Sequence, residues 1–408
     1  PPSHGRAPPR NARLAAASRI VRMGAMTGAL DGIRVLDLSS VVLGPMTAQM
    51  LGDLGADVIK VEAPEGDITR SIGPRRHEGM GALFMANNRN KRSIVLDLKQ
   101  PKGQARLRAM AARSDVLLHS IRTPAAGRLG LSWAVLSALN PRLVLCHATG
   151  FAEGGPYAGR PAYDDIVQAL SGLAMLQQVA AGEPRYVPSI IGDKVAAVHA
   201  ALAIAVALFH RERSGVGQHV KVPMLETLVA FNAAEHLGGC IFEPPAGEMG
   251  YTPVRKALRR PFRTADGWIC LLPYTDAHWK RFLEIAGRGD LAADPAWATL
   301  AGRQSHLDEV WASVATLLLE RGNAAWLDSL LAADIPVAAV QDLEQLLDDP
   351  HLLATGFWEM HRHPTEGMLR LPASPLGLVA TPPSIRRLPP RLGEHTAEVL
   401  REYSLETR

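Results

Sequence analysis

A chain of 408 residues with 47% hydrophobic and 21% charged residues has the composition of a folded globular protein. It is long enough for two domains with separate cores, which excludes disorder of the whole chain. The formal charge of +4 and the pI near 9.1 suggest a basic protein. Residues 1–29, however, hold Arg6, Arg10, Arg13, Arg19 and Arg22 and no acid, and without them 39 basic residues face 40 acidic ones, a net −1. The body thus has no electrostatic case for binding nucleic acid.

The arm has three readings: an Arg-rich, acid-poor transit peptide, a flexible basic tail, or sequence translated upstream of a start at Met23 or Met26. The last is favoured, because Pro1 is not an initiator and ordered patterning begins near Leu30. No long apolar run escapes interruption by charge, so no membrane span is expected, and the Ala-rich stretch after Asp193 reads as a core helix. Cys146, Cys240 and Cys270 form neither a disulfide framework nor a CxxC pair, which points to a reducing compartment, the cytoplasm.

From Gly32 the pattern is strand, helix, strand. Ile33–Leu38 is a short apolar run, Gly44-Pro45 opens a helix to Leu54 that Gly55 stops, and Asp57–Glu62 is a second strand. Such a βαβ unit implies parallel pairing. Further strands are expected at Ser93–Leu98, Asp115–His119 and Leu143–Ala148, with a helix at Lys102–Ala112. The sum is a doubly wound α/β domain. Helices follow at Asp164–Leu176 and Lys194–Arg211, then a strand at Gln218–Val222 and a helix from Pro223. Beyond Glu243 the texture changes to a Pro- and Gly-rich loop. A strand at Trp268–Leu272, helices near Ala277–Ala286, Leu307–Leu319 and Ala324–Ala332, and a buried strand at Ile335–Val340 come next. From Pro372 to Pro390 the prolines predict irregular chain.

The βαβ start, with Glu62 closing its second strand, imitates a dinucleotide-binding unit. The turn, however, reads Val41-Val42-Leu43-Gly44-Pro45 rather than GxGxxG, so a pyrophosphate has no seat there. No His, Cys or carboxylate spacing suggests a metal.

Several segments together resemble family III CoA transferases, the group that includes formyl-CoA transferase, carnitine CoA transferase and α-methylacyl-CoA racemase. They are Leu30-Asp31-Gly32 through Leu36-Asp37, Gly44-Pro45, Leu54 to Glu62, Asn90-Lys91-Arg92-Ser93 with Leu96-Asp97, and Gly154-Gly155-Pro156-Tyr157 with Tyr163-Asp164. Gly192-Asp193, Thr264-Ala265-Asp266-Gly267 and Leu392-Gly393-Glu394-His395-Thr396 complete the set. The resemblance implies a Rossmann-like large domain built from N- and C-terminal segments, a smaller α+β domain, and an interlocked homodimer. The expected division is the arm at 1–29, the large domain at 30–225, the small domain at 226–335, and a return to the large domain at 336–408. No resident cofactor is implied, because the CoA thioester is itself the substrate.

By position alone Asp193 is a helix N-cap. The resemblance makes it the nucleophile that attacks an acyl-CoA, giving a mixed anhydride and then an aspartyl-CoA thioester, with the helix end favouring its anionic form. The histidine of the racemase aligns with Tyr163, so proton transfer next to the thioester is the alternative and CoA transfer is preferred. By resemblance Val42 and Leu43 line the thioester region, with Val42 where relatives often carry glutamine. Leu96 to Lys99 and Arg128 mark the nucleotide end of CoA, and Ala63 stands where an arginine is common. The glycine-rich loop that covers the site in formyl-CoA transferase has no clear counterpart around Glu248–Pro261. Lys91, Arg92 and Lys99 are alternatively a solvated cationic face. Arg160 and Arg185 are candidates for a second substrate carboxylate, and Asp164 is a further N-cap. His199 reads as core-packed, and His351 and His395 as structural. A catalytically idle CoA-binding protein is the remaining rival, and Asp193 argues against it.

Overall fold

In the computed structural model the described residues are 28–256 and 258–405, and the basic arm with its three readings lies outside them. Six strands form one parallel sheet: β1 (Arg34–Asp37), β2 (Asp57–Glu62), β3 (Lys91–Val95), β4 (Val116–His119), β5 (Val144–Thr149) and β6 (His219–Pro223). Their order is β3-β2-β1-β4-β5-β6, so the winding reverses between β1 and β4. In open α/β sheets that reversal opens a crevice at the carboxyl ends of the strands.

One face of the sheet packs against α1 (Leu43–Asp53), α6 (Ile191–Ser214) and α7 (Met224–His236) through Leu51, Ala196, Ala200, Ile204 and Leu228. The other packs against α2 (Pro101–Ala111) and, across the chain, α11 (Thr396–Glu402), through Leu107, Met110, Val399 and Leu400. The Ala-rich inner face of α6 lets it approach α1 closely, and Thr47 Oγ1 donates to Ala197 O at 3.2 Å across the contact.

Between these segments β7 (Phe262–Arg263), β8 (Trp268–Leu271) and β9 (Val337–Ala339) form an antiparallel sheet. It is covered by α8 (Asp276–Ile285), α9 (Leu307–Leu318) and α10 (Asn323–Ala332) around Phe282, Val314 and Trp326. A hairpin follows, β10 (Trp358–His363) and β11 (Gly367–Pro372), and the irregular chain beyond it returns along β3, where Asn90 N donates to Arg387 O. The architecture is therefore Rossmann-like with a smaller α+β unit.

The structure departs from the sequence expectations where polar residues are buried. The third strand begins at Lys91 rather than Ser93. Lys91 and Arg92 are not a solvated face, because both side chains are interior and neutralised. Lys91 Nζ donates to Asp37 Oδ2 (2.9 Å), Asn88 Oδ1 (2.8 Å) and Pro45 O (2.8 Å), while Arg92 is held by Asp57, Glu398 and Glu402. The helix expected over Asp164–Leu176 is two, α4 (Asp164–Leu170) and α5 (Leu173–Ala181), since Gly172 at φ +82° turns the chain between them. The strand expected at Ile335–Val340 is the short β9, whose Ala338 and Ala339 are exposed at a sheet edge. His199 is exposed rather than core-packed, its Nδ1 lying 2.8 Å from Val195 O. The β10–β11 hairpin had no clear alternation to announce it.

By length and composition α6 is apolar enough to cross a membrane, and half of that stretch is buried inside the molecule. Its outer face carries exposed Val198, Leu202, Val206 and Phe209 in one stripe, beside exposed Val229 and Phe231 of α7.

Lys91 and Asp37 are both fully buried, so removing one leaves an uncompensated interior charge. Lys91→Met should cost about 3–5 kcal/mol of unfolding free energy, and adding Asp37→Leu should recover part of it. Urea midpoints measure both, and an unchanged midpoint for Lys91→Met would contradict the role given to the pair.

Candidate active site

The turn after β1 is closely packed. A Cβ on Gly44 would stand 2.1 Å from Ser39 Cβ, so only glycine lets α1 start against that turn. Val41 is left-handed at φ +71°, a costly conformation for a β-branched residue, and its amide points to Asp67 Oδ1 at 3.4 Å. Asp67 is fixed in turn by Lys60, whose fully buried ammonium donates to Asp67 Oδ2 (2.9 Å) and Ser39 O (3.0 Å). Burial alone would raise the pKa of Asp67, but Lys60 and the Thr69 donors outweigh it and hold the carboxyl below its ordinary value. Glu62, at the position that imitates a ribose-binding acid, is instead spent on Arg70 (2.8 Å) and Ser93 (2.6 Å).

Asp193 lies in the first turn of α6 and is not its N-cap, which is Ile190. The capping comes from another helix. Asp164 Oδ1, at the start of α4, accepts from Gly192 N (2.6 Å) and Asp193 N (3.2 Å), while its Oδ2 accepts from Gln168 Nε2 (2.7 Å). Asp193 is thereby free of capping, and its Oδ1 accepts instead from Leu43 N at 3.2 Å, at the head of α1. The side chain is buried, at 7% exposure. Burial, with the facing charge of Asp164, pushes its pKa up to about 6, against the pull of the Leu43 amide. The expectation that the helix end favours the anion is thus corrected: desolvation and the second carboxylate dominate. A group with a pKa near 6 is still largely anionic at neutral pH, and a desolvated carboxylate is the more reactive nucleophile.

Asp193 opens into a cavity of about 450 Å³ lined by Ser40, Val41, Leu43, Arg122, Phe151, Arg160 and Tyr163, among others. A second cavity, of about 350 Å³, is lined by Ala63, Leu96 and Lys99, and Ser40 and Ile121 border both. The two flank the β1/β4 reversal. Of the residues picked from sequence, Asp193, Leu43 and Tyr163 meet at the first cavity, and Tyr163 is 68% exposed. Leu96 and Lys99 meet at the second. Arg128 is exposed at the end of α3 (Thr123–Arg128), next to Leu129, which lines the second cavity. Val42 is buried at 2% exposure and is not a lining residue, its place being taken by Val41. Arg160 reaches the first cavity, whereas Arg185 lies on the surface paired with Glu183. Arg122, Thr123 and Ser40 were not found from sequence, since no motif marks the turns that carry them.

The sequence profile of CoA-transferase family III matches residues 30–396. The succinate–glutarate CoA-transferase of Agrobacterium fabrum is 35% identical over 387 residues, covering 93% of this chain and 96% of its own. The succinyl-CoA–L-malate CoA-transferase beta subunit of Chloroflexus aurantiacus is 32% identical, with 91% and 93% covered. The crystal structure of a CAIB/BAIF family protein from Brucella suis superposes with a TM-score of 0.81 at 28% identity, covering 92% of this chain and all of that one (100%). With its profile, relatives and fold in agreement over the same span, the chain belongs to CoA-transferase family III.

Proposed function

We propose that this enzyme moves CoA from an acyl-CoA thioester to a short mono- or dicarboxylic acid, with Asp193 as the covalent nucleophile. The observation that carries the reading is a single buried, solvent-depleted carboxylate aimed into a cavity, with the Leu43 amide bound to its Oδ1. The carboxylate oxygen attacks the thioester carbonyl, the C–S bond breaks, and CoA thiolate leaves an acyl–aspartyl anhydride. The thiolate then attacks Asp193 Cγ, releasing the first acid and leaving an aspartyl-CoA thioester. An acceptor carboxylate attacks that carbon and expels the thiolate, which takes the new acyl group and frees Asp193. The Leu43 N–H is placed to hold the Asp193 oxygen that gains charge when Cγ is the carbon attacked.

Lys99 and Arg128 suit the anionic nucleotide end in the second cavity, and the shared border at Ser40 and Ile121 suits the pantetheine arm as it crosses to Asp193. Among the described residues that line the first cavity there is no imidazole, which favours transfer over racemase-type proton abstraction. The three cysteines are free, which supports a cytoplasmic enzyme. The exposed apolar stripe of α6 supports a homodimer in which a second copy covers it, interlocked as the family resemblance implies.

Asp193→Ala should reduce exchange at least ~10³-fold across a panel of acyl-CoA donors and carboxylate acceptors while CoA still binds, and mass spectrometry of the wild type after donor alone should find CoA on the Asp193 peptide. Full exchange by the variant would end the mechanism.

Because the folded pKa of Asp193 exceeds the unfolded value of 3.8, the protonated form is favoured by folding. Stability falls as pH rises between these values, and the ionised group costs about 3 kcal/mol at neutral pH. Asp193→Asn should therefore melt higher than the wild type at pH 7 but not at pH 3.5, by calorimetry. In the wild type, kcat/KM for the acyl-CoA should decline below pH about 6. Asp164→Asn, which keeps an oxygen for the Gly192 amide but removes the charge, should move that inflection to lower pH.

Leu202→Arg, in the centre of the stripe, should lower the mass of the particle measured by light scattering if a second copy covers it. An unchanged dimer would place the interface elsewhere.

A further inference from the structure

The cavity wall that leads to Tyr163 presents a cation without a counter-charge. Arg160 lines the cavity with Asp193, and its guanidinium carbon sits 4.5 Å over the ring of Tyr157. Tyr157 packs edge-on against buried Phe151 at 5.5 Å, and Arg160 N donates to Tyr157 O at 3.1 Å, so a tight turn holds the arginine on its aromatic shelf. Among the described residues its side chain has no ion pair; the ring is its one partner there.

The acidic groups of the lining are committed. Glu153 is bound to Lys221 at 2.6 Å and to Thr123 at 2.9 Å, and Asp193 sits at the chemistry. Arg122, the other cation of the lining, heads α3 beside Ile121, at the border that the pantetheine arm is proposed to cross, and among the described residues it has no aromatic shelf like that of Arg160. A guanidinium stacked on an aromatic ring loses little freedom on binding, and its in-plane N–H groups remain available for the two oxygens of a carboxylate. An acceptor with one carboxylate directs it to Asp193 and leaves Arg160 idle; an acceptor with two can use both.

We propose that Arg160, seated on the Phe151–Tyr157 shelf, reads the second carboxylate of the acid that accepts CoA, so that the physiological acids are dicarboxylic. The inference rests on the transfer reading above and adds the residue that selects the substrate.

Its test compares glutarate and adipate with their monomethyl esters, which keep chain length and lose one charge, using succinyl-CoA as the common donor and the full chain throughout. For the best diacid the wild type should show kcat/KM at least about tenfold above that of its ester, the scale of a charge-assisted hydrogen bond at a partly exposed site. Arg160→Gln should bring that ratio toward one by raising KM for the diacid more than it lowers kcat, and Arg160→Lys should retain part of it. Tyr157→Leu should narrow the ratio as well. A wild-type ratio near one overturns the inference and leaves transfer standing. So does a ratio that survives Arg160→Gln, or one that collapses only in Arg122→Gln. Absence of turnover with every diacid and every ester removes both readings.

Discussion

Two carboxylates meet at the start of one helix, and the site depends on how they share its amides. Asp164 takes the amides of Gly192 and Asp193, two donors in the first turn of the helix that carries Asp193. The Asp193 side chain points across to α1 instead, where it accepts from Leu43 N. The same arrangement supplies the electrostatic cost, because the capping group is an anion facing a buried anion. A neutral cap would stabilise the helix without that repulsion. An acid in this position makes Asp193, the proposed nucleophile, harder to ionise and less well satisfied, which is the direction in which reactivity increases and stability declines.

That tension needs a rigid support, and the charges beneath the crevice provide one. Lys60 and Lys91 are both fully buried, and their ammonium groups are paired with Asp67 and Asp37. Burial, with the charge of Lys60 nearby, pushes Lys91 down to about 8 despite the pull of Asp37. Each ammonium also holds a backbone carbonyl of the turn that matters: Lys60 takes Ser39 O and Lys91 takes Pro45 O. The turn from Ser39 to Pro45 is therefore pinned at both ends by interior cations, which is what allows Val41 to remain left-handed and Leu43 to present its amide. Apolar residues of similar volume would fill the space, but would not fix those carbonyls.

How far the sequence reveals this follows from the range of each interaction. The strands are legible because apolar runs between turn residues are local signals; Asp57–Glu62 has the same bounds in both descriptions. The family motifs locate Asp193, Leu43 and the two cavities. A solvated face stayed open for Lys91 and Arg92 because a lone cation carries no mark of its partner, and the partner of Lys91, Asp37, is 54 positions away. Asp164 has the composition of a cap, yet the helix it caps begins near Gly192, 28 residues on, rather than at its own position. Arg122 and Thr123 are brought to the cavity only by the reversal of strand order at β4, which no residue pattern encodes.

The alanines of α6 connect these levels. Ala196, Ala197 and Ala200 are fully buried and small enough for α1 to lie close, and the Thr47 hydroxyl bridges Leu43 O and Ala197 O in the gap. Larger side chains there would push the two helix heads apart, and the Leu43 amide would lose Asp193 before the core itself failed, since a hydrogen bond at 3.2 Å has little slack. The outward face of the same helix is apolar and exposed. A second copy covering it, as proposed, would bear on the helix whose first turn holds Asp193, so assembly and the position of Asp193 would be mechanically one problem.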